Sequence, residues 1–188
     1  MRENKLEIIL SEAAHLMGRK GYSGTSFQEI ADKVGIHKST LFHYFRNKEE
    51  MLLLILERSI KDVYTNLEQI IASAELRPEE KLEQAIKNHL TLLVEYFDNV
   101  NVYLNGFGNL SKENQAIYLT KRKKYERDFN KIVTEMKALG YFDGLDVKIV
   151  TFGILGMLNW SAKWFRNEGA LGIDAVADVF YRMITQKD

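Results

Sequence analysis

Residues 26–48 read SFQEIADKVGIHKSTLFHYFRNK, and this pattern predicts two short helices joined by a tight turn. Ser26 is suited to cap the first helix, because Glu29 stands three residues later and completes a capping box. Gly35 fits the corner, since glycine adopts left-handed dihedral angles without steric cost. Leu41 is expected to fill the gap between the helices. Such a helix-turn-helix can place its second helix in the major groove of DNA.

The rest of the chain predicts helices and no strands. Apolar residues recur at helical spacing, and no segment shows sustained alternation of apolar and polar residues. Asn47 and Ser111 are each expected to cap a long helix. We therefore predict an all-α chain. Its helices are expected over residues 4–20, 26–34, 38–45, 47–73, 78–97, 100–108, 111–139, 145–166 and 172–185.

Charge and composition exclude several classes of protein. The formal net charge is zero, and residues 1–58 hold nine Lys and Arg against eight Asp and Glu. DNA binding must therefore depend on the placement of a few groups rather than on a basic surface. The absence of cysteine excludes disulfides and thiolate metal sites. The longest uncharged apolar stretch, residues 149–162, is shorter than the roughly 20 residues of a membrane span.

The start of the chain and its histidines also bear on class. Glu7 and Glu12 interrupt the N-terminal segment, so we do not expect a signal peptide. We expect a cytoplasmic location. His15 and His89 stand alone on predicted helices, and no glycine-rich phosphate loop follows a strand. No pair of metal ligands shows i, i+4 spacing. We therefore expect neither an enzyme nor a metal site, and no cofactor apart from an effector ligand.

Residues 21–53, GYSGTSFQEIADKVGIHKSTLFHYFRNKEEMLL, resemble the N-terminal signature of TetR-family transcriptional repressors. The match includes Gly21, the Thr25–Ser26 pair and the segment from Thr40 to Leu52. The resemblance implies a three-helix DNA-binding domain over residues 1–48. It also implies a helical domain over residues 49–188 that binds an effector and dimerises, so that the dimer binds a palindromic operator.

The resemblance places residues 38–45 in the major groove, with the hydroxyl of Tyr44 on phosphate. The N-termini of two predicted helices also favour phosphate, one beginning at Thr25 and Ser26 and the other at Lys48. The expected DNA-contacting residues are Thr25, Ser26, Lys38, Ser39, Thr40, His43, Tyr44 and Lys48. Phe45 is expected in the core, whereas Phe42 either touches a thymine methyl or packs internally. His37 and His43 are interpreted as polar contacts rather than metal ligands, because no carboxylate partner is evident.

Residues 152–169, FGILGMLNWSAKWFRNEG, resemble a signature of TetR regulators of the FadR-like group, which sense fatty acyl-CoA. The matching residues are Gly156, Met157, Asn159, Trp160, Trp164, Phe165, Arg166 and Gly169. Asn167 replaces the proline that usually follows the arginine. The resemblance implies a long-chain acyl-CoA as the effector that releases the repressor. Residues 145–166 are apolar almost all round, which predicts a helix buried on several sides. Gly153 and Gly156 suggest close packing or a cavity along this helix.

An acyl chain requires an apolar tunnel, and the phosphates of CoA favour arginine. The expected ligand-binding residues are Phe97, Leu104, Phe107, Arg122, Tyr125, Phe129, Phe152, Met157, Asn159, Trp160, Trp164 and Arg166. Two alternatives stay open at this point. Residues 121–127 also fit a solvated helix face, and the tryptophans also fit the core or a dimer interface.

The last predicted helix places apolar residues on one stripe. We expect it to pack against a second subunit, because recognition helices of a dimer must lie about 34 Å apart to read successive major grooves. The expected dimer-interface residues are Val176, Val179, Phe180 and Met183. Two other hypotheses are retained. One is a TetR-type sensor of drugs or aromatic compounds, and the other is a helical dimeric binding protein that does not bind DNA.

Overall fold

The computed structural model describes residues 2–166 and 169–186, apart from the side chains of residues 2–4, 59, 62, 100, 101 and 103–105. Within those residues the chain is helical and has no strand, which confirms the predicted all-α class. None of the helices in this part of the chain is long and apolar enough to cross a membrane. The helices are α1 (Arg2–Lys20), α2 (Phe27–Val34), α3 (Lys38–Leu41), α4 (Lys48–Ala72), α5 (Pro78–Glu95), α6 (Phe97–Gly106), α7 (Lys112–Ala138), α8 (Val147–Trp164) and α9 (Ile173–Thr185), with a short 3-10 helix at Phe107–Asn109.

The first compact unit comprises Met1–Ile60 and Tyr96–Thr120. Helix α1 packs against α2 and α6, and α2 packs against α3. The core of this unit is apolar, and its fully buried side chains include Ile9, Met17, Ile30, Leu41, Phe45, Met51, Leu52 and Ile55. The three N-terminal helices therefore share one hydrophobic core with α6 and with the first turns of α4 and α7.

The second compact unit comprises Lys61–Glu95 and Lys121–Asp188. Helix α5 packs against both α8 and α9. The core side chains come from several helices and include Leu82, Ile86, Leu90, Phe129, Ile132, Val133, Met136 and Leu158. Helices α4 and α7 contribute residues to both units. The functional boundary expected between residues 48 and 49 stays a prediction, because these units are defined by packing alone.

Helix α8 differs from the prediction that it is buried on several sides. Four of its large apolar side chains are exposed: Ile149 by 69%, Phe152 by 42%, Trp160 by 65% and Trp164 by 45%. A Cβ atom added at Gly153 or Gly156 would meet no atom within 4 Å. The expectation that these glycines line a buried helix is therefore wrong for the single chain. They lie on an open face of α8 instead.

Candidate DNA interface and effector site

The turn between α2 and α3 forms as the sequence predicts. The Ser26 hydroxyl oxygen accepts a hydrogen bond from the backbone N–H of Glu29 at 3.2 Å, which caps α2. Gly35 ends α2 with φ of 70°, in the left-handed region that favours glycine. Its N–H donates to the carbonyl group of Asp32, and the next N–H donates to that of Ala31. The corner is therefore set by local hydrogen bonds and by one glycine.

Helix α3 is shorter than predicted, because its α-helical part ends at Leu41. The chain continues as a tight turn in which the N–H groups of Tyr44 and Phe45 both donate to the carbonyl oxygen of Leu41 at 2.9 Å. The ring of Phe45 lies 6.5 Å from that of Phe27 and is 1% exposed. This packing explains the tighter turn, since it brings Phe45 into the core.

The predicted DNA-contacting residues of α3 and its turn lie at the surface. Lys38, Ser39 and His43 are exposed, while Thr40 and Tyr44 are half-buried. Leu41 is fully buried on the opposite side, as the sequence predicts. Phe42 is both exposed, as a contact with a thymine methyl requires, and packed against a core ring. It is 55% exposed, and its ring centroid lies 5.3 Å from that of Phe27.

Thr25 and Ser26 differ in their availability to DNA. Thr25 is 2% exposed, and its hydroxyl donates to the carbonyl oxygen of Gly21 at 3.0 Å. The prediction that this side chain contacts DNA is therefore corrected, because the hydroxyl closes the turn between α1 and α2. Ser26 is exposed. Its oxygen accepts from Glu29, so its hydroxyl hydrogen remains available to a phosphate.

Lys48 takes a structural role that the sequence does not predict. Its Nζ atom donates to the carbonyl oxygen of Tyr22 at 2.7 Å and to that of Thr25 at 2.8 Å. The same ammonium group lies 4.2 Å from the centroid of the Tyr22 ring. Burial lowers the pKa of Lys48. Two of its three donors are thus used inside the protein, which weakens the prediction of a phosphate contact.

The next residue, Glu49, has no feature in the sequence that singles it out. Its Oε1 atom accepts from the backbone N–H of Ser111 at 2.7 Å and from Nδ2 of Asn114 at 2.6 Å. These hydrogen bonds, first of all the one from the Ser111 backbone, lower the pKa of Glu49. The Ser111 hydroxyl oxygen accepts from the N–H of Asn114 at 3.3 Å, which confirms Ser111 as a helix cap. Glu49 thus joins the start of α4 to the start of α7.

The predicted ligand residues do not all fall in one unit. Phe97 and Phe107 belong to the first unit, where the Phe107 ring lies 5.5 Å from that of Tyr118. The side chain of Leu104 lies outside the described residues. In the second unit, Phe129 is fully buried in the core. Phe129 thus packs in the core and Phe107 against Tyr118, and their place in a tunnel wall stays a prediction.

Tyr125, which is buried, and Asn159, which is exposed, both contact the buried imidazole of His89. Nδ1 of His89 lies 2.8 Å from the Tyr125 hydroxyl, and Nε2 lies 3.3 Å from Oδ1 of Asn159. Because an amide oxygen only accepts, Nε2 carries the proton and Nδ1 accepts from the tyrosine. Burial lowers the pKa of His89 to about 4 and raises the pKa of Tyr125. These contacts hold α5, α7 and α8 together with a neutral imidazole.

Arg122 lies at the surface, whereas Tyr125, three residues later, is buried. The guanidinium Nε of Arg122 donates to Glu126 at 2.8 Å, and the arginine is exposed. Lys124 pairs with Glu68 at 2.8 Å. These contacts favour the solvated-face alternative for residues 121–127. Met157 is half-buried, and Phe152 is exposed.

An open apolar groove of about 430 Å³ lies at the end of α8. The centroids of the Trp164 and Phe180 rings lie 6.3 Å apart in its wall. Arg166 lies in the lining and donates from Nη1 to the carbonyl oxygen of Phe165 at 2.7 Å. The groove is lined by Trp164, Phe165, Arg166, Gly169, Ala170, Leu171, Val176, Val179 and Phe180. It therefore combines part of the predicted ligand site with part of the predicted dimer stripe.

The predicted dimer stripe of α9 is divided by the structure. Val176 is 5% exposed and packs in the core of the second unit, so its expected place at a subunit interface is corrected. Val179 is 36% exposed and Met183 is 63% exposed, while Phe180 is half-buried. Val176 turns inward because α9 packs on α5. Across residues 2–166 and 169–186, no group of three or more His, Cys, Asp or Glu side chains could hold a metal ion.

Two family models match most of the chain. Residues 9–55 match the model described as bacterial regulatory proteins of the tetR family, and residues 75–187 match the tetracyclin repressor-like C-terminal domain. One similar protein is the HTH-type transcriptional repressor KstR2 of Rhodococcus jostii (strain RHA1). It is 26% identical over 182 residues, which cover 94% of this chain and 87% of the relative.

Two solved structures are similar over nearly their whole length. The TetR family transcriptional regulator PfmR from Thermus thermophilus has a TM-score of 0.86 and 32% identity, covering 94% of this chain and 96% of that chain. The structure of AibR in complex with isovaleryl coenzyme A and operator DNA has a TM-score of 0.85 and 28% identity. The match covers 96% of this chain and 98% of that one.

Proposed function

Because the chain belongs to the TetR family of transcriptional regulators, we propose that it is a homodimeric repressor released from a palindromic operator by long-chain fatty acyl-CoA. DNA binding and repression follow from the family, whose members here are regulators rather than enzymes. A protein that represses chromosomal operators acts where the DNA is, so we place it in the cytoplasm. The family assignment also removes the hypothesis of a helical binding protein without DNA binding.

The proposed DNA contacts come from the surface of α3 and the turn that follows it. Lys38, Ser39 and His43 are exposed, and the buried Leu41 fixes the side of the helix that they share. In a helix-turn-helix this exposed side enters the major groove. Tyr44 and the start of α2 at Ser26 would contact phosphates. The neutral charge of the chain is compatible with this, because positioned donors rather than a basic surface carry the contacts.

The similarity to AibR, which was solved with isovaleryl coenzyme A and operator DNA, is the observation that carries the acyl-CoA proposal. In this chain the residues that resemble the acyl-CoA signature end at the groove. Trp164 and Phe165 give that groove an apolar wall, and Arg166 is the cation in its lining. An acyl chain would contact the aromatic wall, and the guanidinium group would pair with a phosphate of CoA.

The exposed face of α8 supports a homodimer. Ile149, Phe152 and Trp160 lie on this face together with two glycines that leave open space. Met183 adds an exposed side chain on α9. A two-fold interface is self-complementary, so one such patch suffices for both subunits. Glycines on the patch would let the backbones of two α8 helices approach closely.

Effector binding is proposed to reach the DNA through α4 and α7, because each contributes residues to both units. A displacement of either helix would change the spacing of the two recognition helices in the dimer. A coupling free energy of about 1–3 kcal/mol changes DNA affinity by about 5- to 150-fold.

Native mass spectrometry tests the effector class. The dimer is mixed with palmitoyl-CoA, with CoA alone, with palmitate and with a cationic aromatic dye. We expect retention of palmitoyl-CoA, and weaker retention by Trp164→Ala and Arg166→Ala. Arg182→Ala, which alters another exposed arginine of the same unit, serves as the control. Retention of the dye alone would replace the acyl-CoA proposal with a sensor of aromatic compounds, which the aromatic wall of the groove also suits.

A further inference from the structure

We propose that Lys48 and Glu49 form a two-sided clamp that couples the start of α7 to the DNA-reading helices, with Lys48 acting as a positioning residue and not as a phosphate contact. The inference rests on DNA binding by the N-terminal helices. It goes beyond the proposed effector, since every contact that carries it lies within the first unit.

The Lys48 side of the clamp holds the turn that leads into α2. Its Nζ atom donates to two carbonyl oxygens of that turn, those of Tyr22 and Thr25, at 2.7 and 2.8 Å. The Thr25 hydroxyl closes the same turn on Gly21. Because Ser26 caps α2 directly after this turn, Lys48 fixes where α2 begins relative to α4. An ammonium group with two short internal hydrogen bonds is poorly placed to neutralise a phosphate.

The Glu49 side of the clamp holds the first turn of α7. Its carboxylate accepts from the Ser111 backbone and from the Asn114 side chain at 2.7 and 2.6 Å. A carboxylate at a helix N-terminus is favoured by the helix dipole and by charge-assisted hydrogen bonds. Helix α7 then runs for 27 residues and carries Tyr125, which contacts His89. A displacement of α7 along its axis would therefore pull on Glu49.

The two residues are adjacent, so the two contacts cannot move independently. A shift of the α7 start that is transmitted to Glu49 changes the backbone at Lys48, and with it the turn that places α2. The start of α7 at Ser111 and the turn at Thr25 are thereby linked through the peptide unit between Lys48 and Glu49. The clamp thus offers a route from α7 to the DNA-reading helices in addition to the length of α4.

The first test measures the salt dependence of DNA binding. A duplex is selected by the full-length protein from a random pool, and its affinity is measured over a range of salt concentrations. Lys48→Met keeps the side-chain stem but removes the donors. It is expected to weaken binding at least tenfold, about the loss of one charge-assisted hydrogen bond, while the slope of log affinity against log salt stays unchanged. Lys38→Met is the control. Lys38 is exposed at the start of α3, where its ammonium group is proposed to pair with a phosphate beside the groove, so its loss should reduce the slope by about 0.9.

A fall of about 0.9 in the slope for Lys48→Met would overturn the positioning role, because it is the signature of a lost phosphate contact. Unchanged affinity would overturn it as well. Failure of the unsubstituted protein to select any duplex would refute DNA binding itself, an outcome distinct from failure of the clamp alone.

The second test follows hydrogen exchange, and it does not depend on the folding of the Lys48 variant. Binding of the selected duplex is expected to slow exchange in the first turn of α7 in the unsubstituted protein. Glu49→Ala should abolish that change while the slowing in α2 and α3 remains. Glu113→Ala, at an exposed acid of the same turn, is the control. Equal slowing of α7 in both variants would point to direct shielding by DNA and would overturn the coupling, as would no slowing in the unsubstituted protein.

Discussion

Protonation of His89 is expected to destabilise the second unit as the pH falls. The imidazole is buried between Tyr125 and Asn159, and its pKa in the folded chain is about 4. An unfolded chain protonates histidine near pH 6.5. Between these two values the unfolded chain binds more protons than the native one, so stability is present above about pH 6.5 and is lost as the pH falls towards 4.

The size of this effect follows from the shift in pKa. A pKa of about 4 in the folded chain against about 6.5 in the unfolded chain corresponds to a loss on the order of 3 kcal/mol in the free energy of unfolding between about pH 7 and pH 4. Chemical denaturation followed by circular dichroism at a series of pH values measures the loss. His89→Gln removes the titrating group and keeps an amide that can hydrogen-bond. The difference in pH dependence between the two proteins isolates His89 from the other three histidines. Parallel curves for the two proteins would refute a neutral buried His89.

Three further predictions concern the proposed dimer and the N-terminal DNA-binding helices α1–α3. Trp160→Glu places a charge on the exposed face of α8 and should convert the proposed dimer to monomers in analytical ultracentrifugation. Ile117→Glu, at a similarly exposed apolar residue of the first unit, should not. A dimeric Trp160→Glu variant would contradict an interface on this face of α8. Leu41→Ala removes a fully buried side chain and should lower the free energy of unfolding by about 2–5 kcal/mol in denaturant titration. A decrease below about 1 kcal/mol would contradict the place of Leu41 in the core. Gly35→Ala should cost about 1–2 kcal/mol, because its φ of 70° suits only glycine well, and a neutral effect in the same titration would show that the turn relaxes.

Local interactions explain what the sequence predicts correctly. The caps at Ser26 and Ser111 each join residues three apart, and the left-handed Gly35 needs no distant partner. Such signals are visible in a short window of sequence. The burial of Leu41 and Phe45 follows equally from helical spacing within one motif. The cap of α2, the glycine corner and the buried side chains of the helix-turn-helix are therefore predictable from the sequence.

Long-range contacts explain what the sequence does not predict. Glu49 meets Ser111 across 62 positions, and His89 meets Tyr125 across 36. Neither pair has a periodic pattern that would mark it. The type and position of Lys48 predict a phosphate contact, yet two backbone carbonyl groups are its partners. Backbone acceptors leave no trace in residue identity.

Hydropathy also does not distinguish a core from a surface that another subunit would cover. The apolar character of residues 145–166 all round the helix predicts that α8 is buried on several sides. Leu158 is indeed fully buried, whereas Trp160 is 65% exposed on the same helix. On α9 the same ambiguity assigns Val176 to an interface, although it lies in the core. Only packing against neighbouring helices decides which apolar face belongs to the chain itself.

The most direct test of the account is a titration of the fluorescently labelled selected duplex with the dimer, followed by anisotropy, with and without palmitoyl-CoA. The proposed repressor should bind the duplex tightly alone, and saturating palmitoyl-CoA should raise Kd by at least about fivefold. CoA alone should leave Kd unchanged. An unchanged Kd at saturating palmitoyl-CoA would contradict release of the repressor by acyl-CoA.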